Sequence, residues 1–203
     1  MAHNIGIDAR KLTDFGIGTY IQNLVRALGE ADRDNQYVLF VGASHDGLLD
    51  DLPDNFHLVV ERSPVYSVRE LFALSWRLMR RRLDLYHATH YVLPAYVPCK
   101  AVVTIHDIIH LLYAQFLPGP LAFLYAQRMI RRSLIRGDQI IAVSQNTKAD
   151  LMEYFEVTGS KIQVVYQGVS QSFSERLTDD ILRDRLAAFG VEPGYALLVG
   201  NPK

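Results

Sequence analysis

The stretch Asn4-Ile5-Gly6-Ile7-Asp8-Ala9-Arg10, followed after a polar connection by Gly16-Ile17-Gly18-Thr19-Tyr20 and by Ile21, Leu24, Val25 and Leu28, decides the fold. An apolar run, a glycine pair, and then apolar residues at three-and-four spacing read as buried strand, glycine loop and amphipathic helix. Two glycines at a helix mouth let backbone N–H groups approach a ligand. Such an N-terminus favours phosphate by roughly 0.3–1 kcal/mol per charge. The same residues also fit a plain strand-to-helix turn, so the motif needs context.

The same pattern repeats along the chain. Strands are expected at Tyr37–Gly42, Leu58–Glu61, Leu83–His87, Ala101–Ile105, Gln139–Val143 and Ile162–Tyr166. Helices are expected over about 67–82, over 121–136 with Gly137 as its C-terminal cap, and from Ser144 to Phe155. Alternating strands and helices imply an α/β, Rossmann-like doubly wound parallel sheet. The tail reads differently: a polar linker from Ser170 to Glu175, a helix capped by Thr178 and closed by Gly190, and a fresh strand at Ala196–Gly200. Residues 1–172 are therefore read as one domain, and 173–203 as a linker and the truncated start of a second.

The chain has 203 residues, 49% hydrophobic and 21% charged, with a net charge of −1. That composition is globular, and the charge offers no overall case for nucleic acid. The single cysteine, Cys99, excludes an intramolecular disulfide and fits a reducing compartment. No apolar run approaches the roughly 18 residues that span a bilayer. The expected location is cytoplasmic. Arginines on two helices (Arg69, Arg77 and Arg80–Arg82; then Arg128, Arg131, Arg132 and Arg136) fit a solvated face, or a peripheral contact with the inner face of an anionic membrane.

In an open parallel sheet, ligands bind beyond the carboxyl ends of the strands. The residues just past each strand are thus the candidates: Asp8 with Gly16, Ile17 and Gly18; His87 and His90; His106, Asp107 and His110; Ser144 and Gln145; Gln167 and Gly168. His106, ending a strand expected to be central, can donate to a developing oxyanion or move a proton near neutral pH. Asp107 beside it could orient it or bind a hydroxyl. A structural histidine bonded to the backbone is the alternative, and the position of His106 at the sheet edge favours function. His87 and His90, three apart on a loop without a third ligand, make a poor metal pair and a better polar wall. Asp8 is given no catalytic role. Ile21 stands where a dinucleotide fingerprint needs a third glycine, and no acidic residue ends the second strand, which argues against a nicotinamide dehydrogenase. No P-loop occurs.

Together, Ile7-Asp8-Ala9-Arg10 with Gly16–Tyr20, Asp84-Leu85-Tyr86-His87, Thr104-Ile105-His106-Asp107, Ala142–Thr147 and Val164–Val169 resemble the N-terminal domain of family 4 retaining glycosyltransferases. In the last of these, Tyr166 and Gln167 replace the first two residues of the family's Pro-Asn-Gly-Val stretch; Leu197–Lys203 resembles the start of the donor domain. The resemblance implies one half of the two-domain GT-B architecture, moving a hexose such as mannose or glucose from a nucleotide-sugar donor to a glycan or lipid-linked acceptor. Gly16–Gly18 would approach the donor diphosphate, and His106 with Asp107 would serve the transferred sugar. His87, His90, Ser144, Gln145, Gln167 and Gly168 would line the acceptor and sugar. No cofactor or metal is expected. The nucleotide would be held mainly by a second domain, so this chain alone is expected to be inactive. A non-catalytic Rossmann-like binding module is the alternative, and an unpaired strand edge leaves a homodimer open.

Overall fold

The computed structural model describes residues 2–43, 47–63, 65–117, 119–170, 173, 177–192 and 194–198. The chain divides into two compact units, Met1–Gln167 and Gly168–Lys203. The first is an α/β unit built on seven strands: β1 (Asn4–Ala9), β2 (Gln36–Val41), β3 (Phe56–Val60), β4 (Leu85–Ala88), β5 (Lys100–Ile105), β6 (Gln139–Ala142) and β7 (Ile162–Val164). All pair in parallel, in the order β3-β2-β1-β4-β5-β6-β7. β4 is therefore the central strand, and β5, which carries His106 at its end, lies one place away.

Among the described residues five α-helices complete this unit: α1 (Phe15–Ala31), α2 (Val68–Met79), the short α3 (Ile109–Leu112), α4 (Pro120–Arg136) and α5 (Gln145–Phe155). Alternate strand residues point to opposite faces, and the two cores follow that alternation. Ile7, Ala9, Leu39 and Val41 pack on Ile21 and Val25 of α1. Val38, Phe40, Tyr86, Val103 and Ile140 pack on Leu74 and Leu78 of α2, Ile130 and Leu134 of α4 and Leu151 of α5. A chain that turns one way from β1 to β2 and the other way from β3 onward, with right-handed crossovers, must place α1 alone on one face and the later helices on the other. The doubly wound arrangement thus follows from strand order.

Local differences from the sequence reading have physical causes. Helix α1 begins at Phe15, so Gly16 and Gly18 lie inside its first turn and not in a loop before it. A Cβ at Gly18 would overlap the Leu12 carbonyl oxygen and sit 2.9 Å from the carbonyl carbon, whereas one at Gly16 would meet open space. Gly137 follows α4 in extended backbone with φ −66°; its smallness is needed because a Cβ would lie 2.8 Å from the Ser133 oxygen. β7 ends at Val164, and Val165 and Tyr166 are exposed.

In the second unit, α6 (Asp179–Ala188) has Thr178 at its N-cap position without a side-chain capping bond, and Gly190 follows in left-handed backbone, φ +66°. The strand expected at Ala196–Gly200 is absent from its described part. Ala196–Leu198 is irregular, with Leu197 and Leu198 exposed; residues 199–203 and most of the expected linker lie outside the described residues.

The two glycines of α1 should separate on substitution. Gly18→Ala forces α1 away from the Leu12 turn and should cost about 1–3 kcal/mol in urea melts. Gly16→Ala should be neutral or stabilising by up to about 1 kcal/mol, because helical backbone gains from losing glycine. Equal losses at both sites would contradict the packing described.

Candidate functional site

At the carboxyl edge of the sheet the dominant feature is a buried charge cluster. Asp8 lies near the end of β1 and Arg10 two residues on, where strand periodicity returns a side chain to the same side. The Arg10 guanidinium grips Asp8 with both prongs, Nε to Oδ1 at 2.8 Å and Nη2 to Oδ2 at 2.5 Å, and donates to Glu70 Oε1 at 2.7 Å. All three residues are buried. Burial pushes the Asp8 carboxyl up, but the adjoining guanidinium outweighs it and holds the pKa down at about 2. For Glu70 burial wins, and its pKa is raised despite Arg10. Glu70 reaches this position because Ser67 caps α2, its Oγ accepting from the Glu70 N–H at 3.1 Å. The Tyr86 hydroxyl donates to Asp8 Oδ2 at 3.2 Å.

Thr89 carries this cluster to His106. Its hydroxyl donates to the Asp8 carbonyl at 2.5 Å, while its own carbonyl accepts from His106 Nε2–H at 3.0 Å. The other ring nitrogen, Nδ1, accepts from the Gln167 amide at 3.2 Å. These partners assign the proton to Nε2 and leave Nδ1 as an acceptor. Burial lowers the His106 pKa, favouring the neutral ring. Tyr20 of α1 meets the ring edge-on at 5.0 Å, and the Thr147 hydroxyl donates to the His106 carbonyl at 2.9 Å. Ser144 caps α5 through the Thr147 N–H at 3.0 Å, so the β6–α5 turn also braces this residue.

His87 and His90 do not come together. His87 lies within β4, hydrogen-bonded through Nε2 to Thr104 Oγ1 at 2.8 Å, and Thr104 in turn pairs with the Tyr20 hydroxyl at 3.0 Å. His90 faces α2, with Nε2 4.0 Å from Glu70 Oε1 and its ring centroid 6.0 Å from that of Tyr66. Neither nitrogen of the buried His90 has a hydrogen-bond partner among the described residues. Tyr66 lies roughly parallel to Tyr91, and Lys11, tied to Asp14, sits over the Tyr66 ring. Tyr66 itself holds a left-handed backbone, φ +60°, a conformation that tertiary contacts must impose on a bulky residue. Among the described residues, no group of three His, Cys, Asp or Glu side chains has metal-binding geometry.

The remaining candidates fall at the same edge with distinct surroundings. Asp107 is exposed; its Oδ1 accepts from the Ile109 N–H at 3.1 Å and lies 4.0 Å from His110, so Thr89 and Gln167, not Asp107, hold the His106 ring. Gln145 is exposed in the first turn of α5, and Gly168 opens the second unit. The first turn of α1 leaves the Phe15, Gly16 and Ile17 N–H groups without helical acceptors. Phe15 there is 92% exposed in left-handed backbone, φ +23°. Arg10, Glu70, Thr89, Tyr20 and Tyr66 were not singled out as site residues in the sequence. Two signals were present: the Asp-x-Arg spacing at a strand end, and Ser67-x-x-Glu70 ahead of an apolar run.

Burial holds the pKa of both His87 and His90 down at about 4, against an ordinary 6.5. Between those values the unfolded chain binds protons that the folded chain refuses, so stability falls as pH drops. Each histidine contributes up to about 1.4 kcal/mol per pH unit in that window. Denaturant melts taken from about pH 7.5 down to about pH 4.5 should show the fall, and His90→Gln should make it shallower. Stability flat with pH would contradict neutral buried rings.

Comparison with known proteins agrees with this fold. Residues 16–173, well over half of the chain, match Glycosyltransferase Family 4. No curated protein sequence matches the chain. Among solved structures, a glycosyltransferase from Rickettsia africae is 16% identical with a TM-score of 0.62, the match covering 95% of this chain and 51% of that one. Anabaena Alr3699/HepE, solved with UDP and glucose, is 14% identical with a TM-score of 0.61, covering 91% and 50%. S. aureus MnaA, solved with UDP, is 12% identical with a TM-score of 0.58, covering 94% and 52%. Such low identities establish the fold alone, the Rossmann-like N-terminal half of a GT-B architecture, and the chain spans about half the length of these structures. With the family match extending over both the glycine turn and His106, the chain belongs to Glycosyltransferase Family 4.

Proposed function

We propose that this chain forms the acceptor-side domain of a retaining glycosyltransferase, which moves a hexose from a nucleotide-sugar donor to a glycan or lipid-linked acceptor. The observation that carries the reading is the contact of Tyr20 with His106. It joins the α1 first turn and the end of β5 at one edge, so a single ligand can meet both.

As the bond from sugar to diphosphate breaks, negative charge collects on the leaving oxygens. The free N–H groups of Phe15–Ile17 and the helix dipole face that charge, and the open space at Gly16 admits the diphosphate. His106 Nδ1 accepts from a hydroxyl of the transferred sugar once the exposed Gln167 amide gives way. With Nε2–H committed to Thr89, the ring is fixed in place without carrying charge. Asp107, exposed beside it, serves the acceptor hydroxyl. Tyr66 and Tyr91, packed roughly parallel beside the buried His90, offer the acceptor stacking contacts. The nucleotide is held mainly by a second domain, and no metal takes part. HepE and MnaA were solved with UDP, which favours a uridine diphosphate donor.

The test is transfer from a panel of radiolabelled nucleotide hexoses, by the chain alone and by the chain joined to a donor-binding domain of its family. Transfer is expected only when both halves are present, with retained anomeric configuration. His106→Ala should lower kcat by about 100-fold through loss of sugar positioning. Transfer by this chain alone, or transfer undiminished by His106→Ala, would contradict the proposal.

A further inference from the structure

The sheet has two edges, and they are built differently. β7 is three residues long, and the outward carbonyl of Ile162 is taken by Lys148 Nζ at 2.8 Å. A short strand and a lysine are common means of keeping a sheet edge from recruiting another chain. β3 has neither. It runs for five residues, Phe56-His57-Leu58-Val59-Val60, without a lysine, a proline or an acidic residue. Leu58 and Val60 are 39% and 38% exposed although both are aliphatic.

The direction of each backbone group follows from the ladder, because alternate residues of a parallel strand bond to the same neighbour. The Asn55 carbonyl accepts from Tyr37 at 2.8 Å and the Glu61 N–H donates to Val41 at 2.8 Å, so Asn55, His57, Val59 and Glu61 turn toward β2. Phe56, Leu58 and Val60 then turn outward. The Phe56 N–H is given to Pro53 at 3.0 Å. Among the described residues, none accepts from the outward N–H groups of Leu58 and Val60.

This edge is complementary to itself. About a two-fold axis at Leu58, an antiparallel copy sets Leu58 opposite the partner's Leu58 and Phe56 opposite the partner's Val60. These are the outward residues, so each such pair is a hydrogen-bonding pair. The two Leu58 residues exchange N–H···O bonds, and each Val60 N–H reaches the partner's Phe56 carbonyl. The side chains agree with the backbone. On one face Leu58 meets the partner's Leu58 and Val60 the partner's Phe56, apolar cross-strand pairs of the kind that stabilise sheets. On the other face His57 meets the partner's Val59, and β3 brings no like charges together. Because the copies run antiparallel, their carboxyl edges point in opposite directions, and the candidate site of each stays open.

We infer that the β3 edge pairs with a second copy of this chain, antiparallel about Leu58, joining the two sheets into one. This goes beyond the donor and acceptor reading, and it is measured without sugar transfer, so either can fail alone. The 203-residue chain is followed by sedimentation velocity over a range of concentrations, with amide hydrogen exchange at the lowest and the highest. Dimers that grow with concentration are expected, and protection of the Leu58 and Val60 amides should rise with them. Leu58→Lys sets two ammonium groups opposite each other and should weaken the dimer at least about tenfold. Val60→Pro removes one outward N–H without touching the ladder to β2, and should weaken it too. Gln163→Lys, on β7, should leave association unchanged. Circular dichroism checks that each variant is folded. A monomer at every concentration, a dimer unaffected by Leu58→Lys, equal weakening by Gln163→Lys, or Leu58 and Val60 amides already protected in the monomer would overturn the inference; the last would mean that another stretch of the chain covers β3.

Discussion

The edge that carries the candidate site depends on Arg10 holding two carboxylates out of water. Asp8 comes from β1 and Glu70 from α2, and neither is stable as a buried charge without a cation. Removing one partner from such a cluster typically costs about 3–5 kcal/mol, because the other charges are left stranded. The forked guanidinium suits this task where a lysine would not, since Nε and Nη2 reach both oxygens of Asp8 and Nη2 donates to Glu70 as well. Three elements meet at this point, β1, α2 and, through Tyr86 and Thr89, β4. Thr89 then carries the geometry outward, with its hydroxyl on the Asp8 carbonyl and its own carbonyl on His106. The position of the His106 ring is thus a consequence of a charge cluster several residues away.

Electrostatics divides the edge into two zones. The Arg10 guanidinium is taken up by two carboxylates, and Lys11 is tied to Asp14. His87, His90 and His106 are all pushed toward the neutral form by burial. Positive potential toward a ligand therefore comes mainly from the N-terminal turn of α1, whose N–H groups are fixed in direction and need no counter-charge from the protein. That suits the diphosphate of the proposed donor, which would arrive charged and must also leave. A neutral histidine alongside offers a directed lone pair without trapping the anion.

The sheet was legible because both of its faces are covered: continuous apolar runs such as Ala101–Ile105 read as strands without tertiary information. The order of the candidate residues along the edge was legible too, since a parallel sheet brings the carboxyl ends of its strands to one side. The character of the site was less so. Gly16 and Gly18 looked alike in sequence, yet one faces open space and the other is wedged against Leu12, a difference set by α1 docking on its own preceding turn. His87 and His90 read as a poor metal pair and a shared polar wall, but the first is inside β4 and the second lies beyond it, so they face different elements. Asp8 read as a local cap: the Asp-x-Arg spacing gave its partner Arg10, but Glu70, which shares that guanidinium, is sixty-two positions away, and only the fold brings it there. The Ala196–Gly200 run had strand composition, but its described part, Ala196–Leu198, is irregular.

The most direct test of the account is whether one ligand senses both the α1 turn and His106. Uridine diphosphate hexose would be titrated into the isotopically labelled chain while the amide resonances of Phe15, Gly16 and Ile17 and the ring resonances of His106 are followed. The account predicts weak binding, with a Kd on the order of 1 mM or about −4 kcal/mol, and shifts concentrated at those groups and at Gln167. Shifts confined to other parts of the sheet edge, or none at the α1 turn with saturation elsewhere, would contradict it.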